Sequence, residues 1–255
     1  MIKKRIIPKL LLELSNKTGM MMTGCSIGFG EFRIVGGPES QAQIFESTVS
    51  DELMVLVRRG SESSFDSRLN ALKLINEKVL MPVSFGGAIS ELDQVHALFD
   101  VGIEKVIFGT AFQLNPKIIE ETAEIYGSQA VIVSLDFRER LLDKDVNESP
   151  GVIHIKELSS QIAIATDSGA GEICLNDVSR DGSKSGTNVA QLALCRSLTN
   201  LPLIQSSGVG KTSHFVEAFN NGADAVAVGT YFAFVDQNFM QVRSHIRNSG
   251  IDIRP

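Results

Sequence analysis

Several features that would place a chain in a familiar functional class are missing from this sequence. It has three cysteines among 255 residues, and this odd number without CxxC spacing argues against a disulfide framework or a zinc cluster. Its four histidines show no metal-ligand spacing, and none stands beside a serine or cysteine in a nucleophile motif. The sequence therefore predicts neither a metal site nor a cofactor, and it disfavours triad chemistry.

Long apolar runs and an excess of positive charge are also missing. No uninterrupted apolar run approaches the ~20 residues needed to cross a bilayer, and the N-terminal segment lacks the apolar stretch and cleavage site of a signal peptide. The net charge of −6 argues against a surface devoted to nucleic acid but leaves room for a local anion pocket. We therefore expect a cytoplasmic protein with no nucleic-acid or membrane partner.

The chain does contain enough apolar residues to bury one large core. Hydrophobic residues make up 43% and charged residues 21% of the sequence, which is ordinary for a globular protein. A (β/α)8 barrel typically uses about 250 residues, and no low-complexity segment or linker divides this chain. We predict a single domain over residues 1–255.

Short β-branched runs alternate with segments of helical periodicity along the whole chain. Helices are predicted near residues 38–49, 64–79, 90–101, 115–126, 157–168, 188–198, 211–221 and 236–249. The eight candidate strands are Arg5–Leu12, Glu52–Val57, Pro82–Gly86, Lys105–Gly109, Ala130–Asp136, Glu172–Asn176, Pro202–Ser206 and Asp224–Gly229. Residues 15–39 and 137–151 are expected to form polar loops.

An internal repeat favours a closed barrel over an open sheet. The segment that begins at Pro82 matches the one that begins at Pro202 with a constant offset of 120 residues, and the same offset pairs Glu52 with Glu172. No GxGxxG motif follows the first strand, as a doubly wound dinucleotide-binding sheet would require. We therefore predict an α/β fold, a (β/α)8 TIM barrel built from two half-barrel repeats of about residues 1–120 and 121–245.

Glycine-rich turns follow the strands at the C-terminal face, where such barrels carry their chemistry. Glycine lets backbone N–H groups approach an anion closely, although glycines also end strands for purely structural reasons. Two phosphate cups are predicted at the barrel mouth. The C-half cup comprises Asp181, Gly182, Ser207, Gly208, Gly229 and Thr230, and the N-half cup comprises Gly87, Gly109 and Thr110. Ala88 stands where symmetry with Gly208 expects a glycine, which weakens the case for the N-half cup.

Asp136 ends the fifth strand with the inward parity of Ile132 and Ser134. Its carboxylate should therefore point into the barrel mouth, where it could act as a general acid or base. Capping of a loop is an equally good interpretation from the sequence alone.

Four charged residues occupy the opposite ends of the strands. Arg5, Glu52, Lys105 and Glu172 begin the first, second, fourth and sixth strands, and their charges sum to zero. Buried together they must pair, because an isolated buried charge is costly. They would form either a salt-bridged plug or a gate for a small neutral molecule.

Short motifs of a known family are distributed along the whole chain. They are KRIIP (4–8), DEL (51–53), GG before Ile89, GSQA (127–130), GAGEI (169–173), RDGSKSG (180–186), SGVGK (207–211) and GADA (222–225). In these motifs the chain resembles the cyclase subunit of imidazole glycerol phosphate synthase, and the resemblance runs from Met1 to Pro255. It implies a cytoplasmic (β/α)8 barrel paired with a glutaminase, whose ammonia enters through the gate formed by the four charged residues and travels to a bisphosphorylated substrate. It also implies that Asp136 is one of two catalytic aspartates and that the C-half cup binds phosphate.

The chain departs from this family where the reaction would occur. Leu11 stands where the family carries its other catalytic aspartate, and a leucine cannot transfer protons. Val57 and Gly109 replace an aspartate and an asparagine. Lys9 occupies an inward position that is apolar in the family, where it would need Asp136 or a phosphate as a partner or would obstruct the ammonia path.

With the four charged residues retained and the reaction site altered, the chain resembles divergent relatives of the cyclase that are associated with acetamidino modification of surface-polysaccharide sugars. Our leading hypothesis is a subunit that binds a glutaminase at its N-terminal face and relays ammonia for amidination of a phosphorylated small molecule or sugar, with a sugar amidotransferase as a further partner. One alternative is a genuine cyclase of histidine biosynthesis. The other is a non-catalytic scaffold that activates the glutaminase.

Overall fold

The computed structural model describes residues 3–27, 30–58, 61–139, 151–234 and 239–254. Eleven strands occur in these residues, and eight of them form a closed parallel barrel. The strands are β1 (Arg5–Leu14), β2 (Met21–Ser26), β3 (Phe32–Gly36), β4 (Leu53–Val57), β5 (Val83–Gly86), β6 (Lys105–Phe108), β7 (Val131–Arg138), β8 (Val152–His154), β9 (Glu172–Asp177), β10 (Leu203–Ser206) and β11 (Ala225–Val228).

The barrel closes between its first and last strands. β1 pairs in parallel with β4 on one side and with β11 on the other, and Arg5 lies opposite Ala225 in the latter register. The remaining order is β4-β5-β6-β7-β9-β10-β11. This confirms the predicted (β/α)8 barrel, and each of the eight predicted strands overlaps an observed one.

Helices cover the outside of the barrel and connect its strands. They are α1 (Pro38–Ser47), α2 (Phe65–Asn76), α3 (Leu92–Asp100), α4 (Thr110–Leu114), α5 (Lys117–Tyr126), α6 (Leu158–Asp167), α7 (Val189–Leu198), α8 (Thr212–Asn220), α9 (Thr230–Phe234) and α10 (Phe239–Asn248). The short helices α4 and α9 were not predicted as separate elements, and they begin at the repeat partners Thr110 and Thr230. Part of the last predicted helix, residues 235–238, lies outside the described residues. No helix in the described part of the chain is long and apolar enough to span a membrane.

The alternation of side chains along each strand divides the apolar residues into two clusters. Outward-facing residues such as Ile6, Val55 and Phe85 pack against the helices. Inward-facing residues fill the middle of the barrel, and they are Ile7, Met54, Ile107, Ile132, Cys174, Ile204, Ala225 and Ala227. This apolar layer separates the N-terminal opening of the barrel from its C-terminal mouth.

The prediction of a polar loop over residues 15–39 is wrong. β2 and β3 form an antiparallel hairpin there, and β2 pairs back onto the C-terminal extension of β1. Gly24 permits the tight approach of the two hairpin strands, since a Cβ at this position would lie 2.2 Å from the Arg33 carbonyl oxygen. The glycine- and methionine-rich composition of the segment concealed this pairing. Of the second predicted loop, residues 140–150 lie outside the described residues, while β7 continues to Arg138 and β8 pairs with it.

The two glycines of the hairpin strands offer a matched test of this packing. Gly24→Ala should lower the free energy of unfolding by about 1–3 kcal/mol, because the added methyl group meets backbone atoms that cannot move freely. Gly36→Ala should change it by less than about 0.5 kcal/mol, since its Cβ would be 3.7 Å from the flexible Gln41 side chain. Urea unfolding measures both, and equal losses would contradict the hairpin packing.

Candidate functional site

A cavity of about 390 Å³ opens at the C-terminal ends of the barrel strands. Its wall is built from the last inward-facing residue of several strands, and the hairpin covers one side of it. The lining residues include Lys9, Leu11, Leu56, Ser134, Asp136, Asn176 and Ser206 from the strands and Gly24, Cys25 and Ser26 from the hairpin. Both predicted cups open into this one cavity.

Asp136 lies in this cavity, as its inward parity predicts. Its Oδ1 accepts hydrogen bonds from Asn176 Nδ2 at 3.0 Å and from Ser134 Oγ at 3.4 Å. The Asn176 Oδ1 atom is buried and has no hydrogen-bond partner within the described ranges. Because buried polar atoms are normally paired, this oxygen is available to accept an N–H or O–H group of a ligand beside the Asp136 carboxylate.

The wall around Leu11 is hydrocarbon and backbone. Leu11 lies opposite Leu56 in the parallel pairing with β4 and opposite Gly24 in the antiparallel pairing with β2. Asp136 and Asp181 are the carboxylates that line the cavity within the described residues. Neither occupies the strand position of Leu11, so the position that carries an aspartate in the resembled family is apolar here.

Lys9 extends toward the C-half cup. Its Nζ donates to Ser206 Oγ at 3.1 Å and lies 4.0 Å from Asp181 Oδ1. The other Asp181 oxygen, Oδ2, accepts a hydrogen bond from Ser26 Oγ at 3.1 Å. The sequence led us to expect Asp136 or a phosphate as the partner of Lys9, whereas its contacts in the structure are with Ser206 and Asp181.

The C-half cup is formed by three loops that approach one another closely. Gly208 has a φ of 81°, and a Cβ there would lie 2.2 Å from the Gly186 carbonyl oxygen. A Cβ at Gly182 would lie 2.3 Å from the Ser26 carbonyl oxygen, so glycine is required at both positions. The neighbouring Ser207 Oγ is buried and has no partner among the described residues, which leaves it able to bind a ligand. Gly229 and Thr230 line the cavity beside these residues.

The N-half cup has the same arrangement of turns as the C-half cup, except that one turn carries an alanine in place of a glycine. Gly87, Gly109 and Thr110 line the cavity, and Ala88 adopts a left-handed φ of 49° where its repeat partner is Gly208. The turn therefore keeps its shape despite the alanine, at a cost in backbone strain. The sequence reasoning missed Arg68, whose guanidinium lies beside this turn. The sequence signal that could have identified Arg68 is the presence of a charged residue on the apolar stripe of α2.

The four predicted charged residues meet at the N-terminal opening in a closed ring. Arg5 binds both carboxylates, with 2.6 Å from Nη1 to Glu52 Oε1 and 2.5 Å from Nη2 to Glu172 Oε2. Lys105 Nζ also binds both, at 3.0 Å from Glu52 Oε2 and 2.6 Å from Glu172 Oε1. Each member thus contacts two oppositely charged members of the ring, and Arg254 Nη1 also lies 3.7 Å from Glu52 Oε1. We call the four predicted residues the ionic ring.

The ring compensates for the burial of its members. Burial alone would lower the pKa of Arg5, but its bonds to Glu172 and Glu52 outweigh that effect and raise it. Burial alone would raise the pKa of Glu172, but Arg5 and Lys105 hold it below its usual range. Both groups are therefore charged at neutral pH, and the formal charges of the two cations and two carboxylates of the ring sum to zero.

The apolar layer above the ring contains one titratable side chain in the described structure. Burial raises the pKa of the Cys174 thiol to about 12, so it is an uncharged thiol at neutral pH. The layer between the ring and the cavity that holds Asp136 and Lys9 therefore consists of uncharged groups, and a neutral molecule would meet a smaller desolvation barrier there than an ion.

Comparison with known proteins matches the chain over its full length. A family model described as "Histidine biosynthesis protein" matches residues 6–237. A protein of Prochlorococcus marinus (strain MIT 9313) named "Putative imidazole glycerol phosphate synthase subunit hisF2" is 38% identical, covering 100% of this chain and 99% of its own. The "Imidazole glycerol phosphate synthase subunit HisF" proteins of Prosthecochloris aestuarii and Flavobacterium johnsoniae are 32% and 30% identical, covering 100% of both chains in each case.

The ring makes a testable contribution to stability. Glu172→Gln should lower the free energy of unfolding by about 3–5 kcal/mol at neutral pH, because it leaves the facing cations undercompensated. Since the pKa of Glu172 is depressed in the folded state, its contribution is present above the usual value of 4.5 and is lost as the pH falls through the folded value. The difference between wild type and variant should therefore shrink at acid pH.

The control is Glu121→Gln, which removes the same charge from an exposed pair with Lys117. Exposed pairs contribute about 0–1 kcal/mol, so this variant should unfold almost as the wild type does. Denaturant unfolding at several pH values measures all three proteins. A Glu172→Gln effect no larger than the control would show that the ring does not act as described.

Proposed function

The chain belongs to the histidine biosynthesis protein family and, within it, to the HisF subunits of imidazole glycerol phosphate synthases, and from this premise we propose that it accepts ammonia from a partner glutaminase. The ammonia would enter through the ionic ring and reach the cavity that holds Asp136. The observation that carries this proposal is the order of three features along the barrel, namely the ionic ring, the uncharged layer, and the cavity that holds Asp136.

The chemistry of the path fits ammonia better than ammonium. Ammonia is neutral and small, and it can exchange hydrogen bonds with the ring when one contact opens. Ammonium would lose its hydration in the apolar layer without a counter-charge. A path of this kind protects the reactive, neutral form from protonation in water.

A glutaminase would dock on the face that carries the ring. The loops that lead into β4 and β5 lie at this end of the barrel, and each presents an apolar side chain to solvent. Val49 is 63% exposed and Leu80 is 94% exposed. Exposed apolar side chains around an opening favour a protein partner there, which fits the proposed delivery of ammonia.

The acceptor of the ammonia would be a phosphorylated small molecule in the cavity. The unpartnered Ser207 hydroxyl supports a phosphoryl group in the C-half cup, and the unpartnered Asn176 oxygen supports a ligand donor group beside Asp136. In this proposal Asp136 would move a proton to or from the bound ligand.

We further propose that the acceptor is a sugar undergoing acetamidino modification, together with a sugar amidotransferase, rather than the precursor of histidine. The support is the apolar position of Leu11, flanked by Leu56 and Gly24. A cyclisation that uses two aspartates would lack one of its proton carriers here. Loss of one member of an acid–base pair typically costs 10²- to 10⁴-fold in rate.

A second candidate is the cyclase reaction of histidine biosynthesis. The presence of Asp181 favours it, because this residue supplies a second carboxylate to the same cavity. Asp181 is, however, engaged by Ser26 and lies near Lys9, so it would have to leave these partners in order to replace the missing aspartate.

Cyclase activity separates the two candidates. Incubation of the purified chain with the aminoimidazole ribonucleotide precursor of the histidine pathway and an ammonium salt should give no product, whereas Leu11→Asp should give measurable turnover. Leu56→Asp is the matched control, because it adds a carboxylate to the neighbouring strand of the same cavity, and it should remain inactive. Rapid turnover by the wild type would favour the cyclase.

Transfer of ammonia through the ring is tested with the glutaminase present. Lys105→Met should reduce incorporation of glutamine-derived ammonia by about tenfold or more while glutaminase binding persists, because the ring loses one of the two cations that bridge its carboxylates. Lys4→Met is the control, since Lys4 carries the same charge at the same end of the barrel but binds Asp224. Isotope-labelled glutamine measures the transfer. Unchanged transfer would instead support a scaffold that only activates the glutaminase.

A further inference from the structure

We propose that Arg68 binds a phosphoryl group of the ligand in the N-half cup. This rests on the proposed function, in which the cavity takes a phosphorylated molecule. It assigns one end of that molecule to a guanidinium group, whereas the C-half cup relies on glycine turns and Ser207.

Arg68 occupies a position that the helix pattern reserves for an apolar side chain. It forms the first member of the buried stripe of α2, followed by Ala71, Leu72 and Ile75. These positions are spaced three and four residues apart and face the barrel. Only 8% of Arg68 is exposed, so its charge is held inside the molecule.

The partners of this guanidinium are neutral oxygens. Nε donates to Ser63 Oγ at 3.0 Å and Nη2 donates to the Ser63 carbonyl at 2.6 Å. Within the described residues no carboxylate lies within 4.0 Å of it. Burial lowers the pKa of Arg68, but a guanidinium remains charged at neutral pH. A buried cation without a counter-ion is unfavourable, and an anionic ligand would supply that counter-ion.

The guanidinium is directed toward the N-half cup. Ser63 holds two of its nitrogens, and the third, Nη1, reaches the carbonyl oxygens of Gly87 at 3.4 Å and Ala88 at 3.3 Å. These two contacts are longer than the usual 2.7–3.2 Å range of strong N–H···O bonds. Nη1 can therefore turn toward an oxygen in the cavity, which Arg68 lines together with Gly109 and Thr110.

The other cations that line the cavity have acidic neighbours. Arg58 binds Glu13 at 2.7 Å, and Lys9 lies 4.0 Å from Asp181. Of the cations that line the cavity, Arg68 is thus the one without a carboxylate partner among the described residues. A phosphoryl group fits this position, because arginine binds phosphate oxygens through parallel hydrogen bonds and the repeat places Thr110 and Gly109 where the C-half cup has Thr230 and Gly229.

Equilibrium dialysis of the full chain with radiolabelled inorganic phosphate at low ionic strength tests the assignment. The wild type should bind phosphate at two sites. Arg68→Met should lose one site or weaken it by about 10- to 100-fold, as expected for loss of a charge-assisted contact, while Ser207→Ala should weaken the other. Arg33→Met, which removes an exposed arginine of the hairpin outside the cavity, should bind as the wild type does.

Arg68→Lys separates ligand binding from support of the fold. It keeps the charge but loses the planar fork, so it should retain both sites with an intermediate affinity at one of them, and it provides the test if Arg68→Met does not unfold cooperatively. Two sites of unchanged affinity in the Arg68 variants would overturn the inference. A wild type with one site that responds only to Ser207→Ala would also overturn it but would leave the proposed phosphorylated ligand intact. Absence of both sites would remove the two proposals together.

Discussion

The ionic ring is the constraint on which the arrangement of the barrel depends. Its four members come from the starts of four strands that are far apart in sequence, and each contacts two opposite charges. Because a buried charge is tolerated only when it is paired, the strands must meet in one register for all four charges to be satisfied. The same register fixes which residues two, four and six positions farther along each strand face inward. On β1 this places Ile7 in the apolar layer and Lys9 and Leu11 in the cavity wall.

Much of this could be predicted from the sequence because the relevant signals are periodic. The 120-residue repeat and the alternation of apolar residues indicated eight strands and a closed barrel, and strand parity brought Arg5, Glu52, Lys105 and Glu172 together. The same parity argument placed Asp136 and Leu11 in one cavity. These predictions depend only on the spacing of residues within a strand and on the order of strands around the barrel.

The parts that could not be predicted depend on contacts between distant segments. The hairpin of β2 and β3 is stabilised by pairing with the end of β1, and its glycine- and methionine-rich sequence carries no strong strand signal. Whether Lys9 turns toward Asp136 or toward Asp181 depends on a side-chain rotamer. Arg68 was overlooked because the periodicity of residues 64–79 indicates a helix but does not show how deeply each position of its apolar stripe is buried. Burial and the absence of a carboxylate nearby in the described structure become visible only once the helix is packed.

The difference between Ala88 and Gly208 has a consequence for orientation. A barrel made from two equivalent halves presents a nearly twofold-symmetric mouth, and a molecule with two similar ends could enter it either way round. One rim carries the Ala88 methyl group and the Arg68 guanidinium, whereas the other carries the Gly208 turn and the Ser207 hydroxyl. This difference makes the two orientations of the ligand inequivalent. The two ends of a ligand thus meet different surfaces. The difference between the two sides of the cavity, and not the shape of the ligand alone, therefore selects which ligand atom lies nearest Asp136.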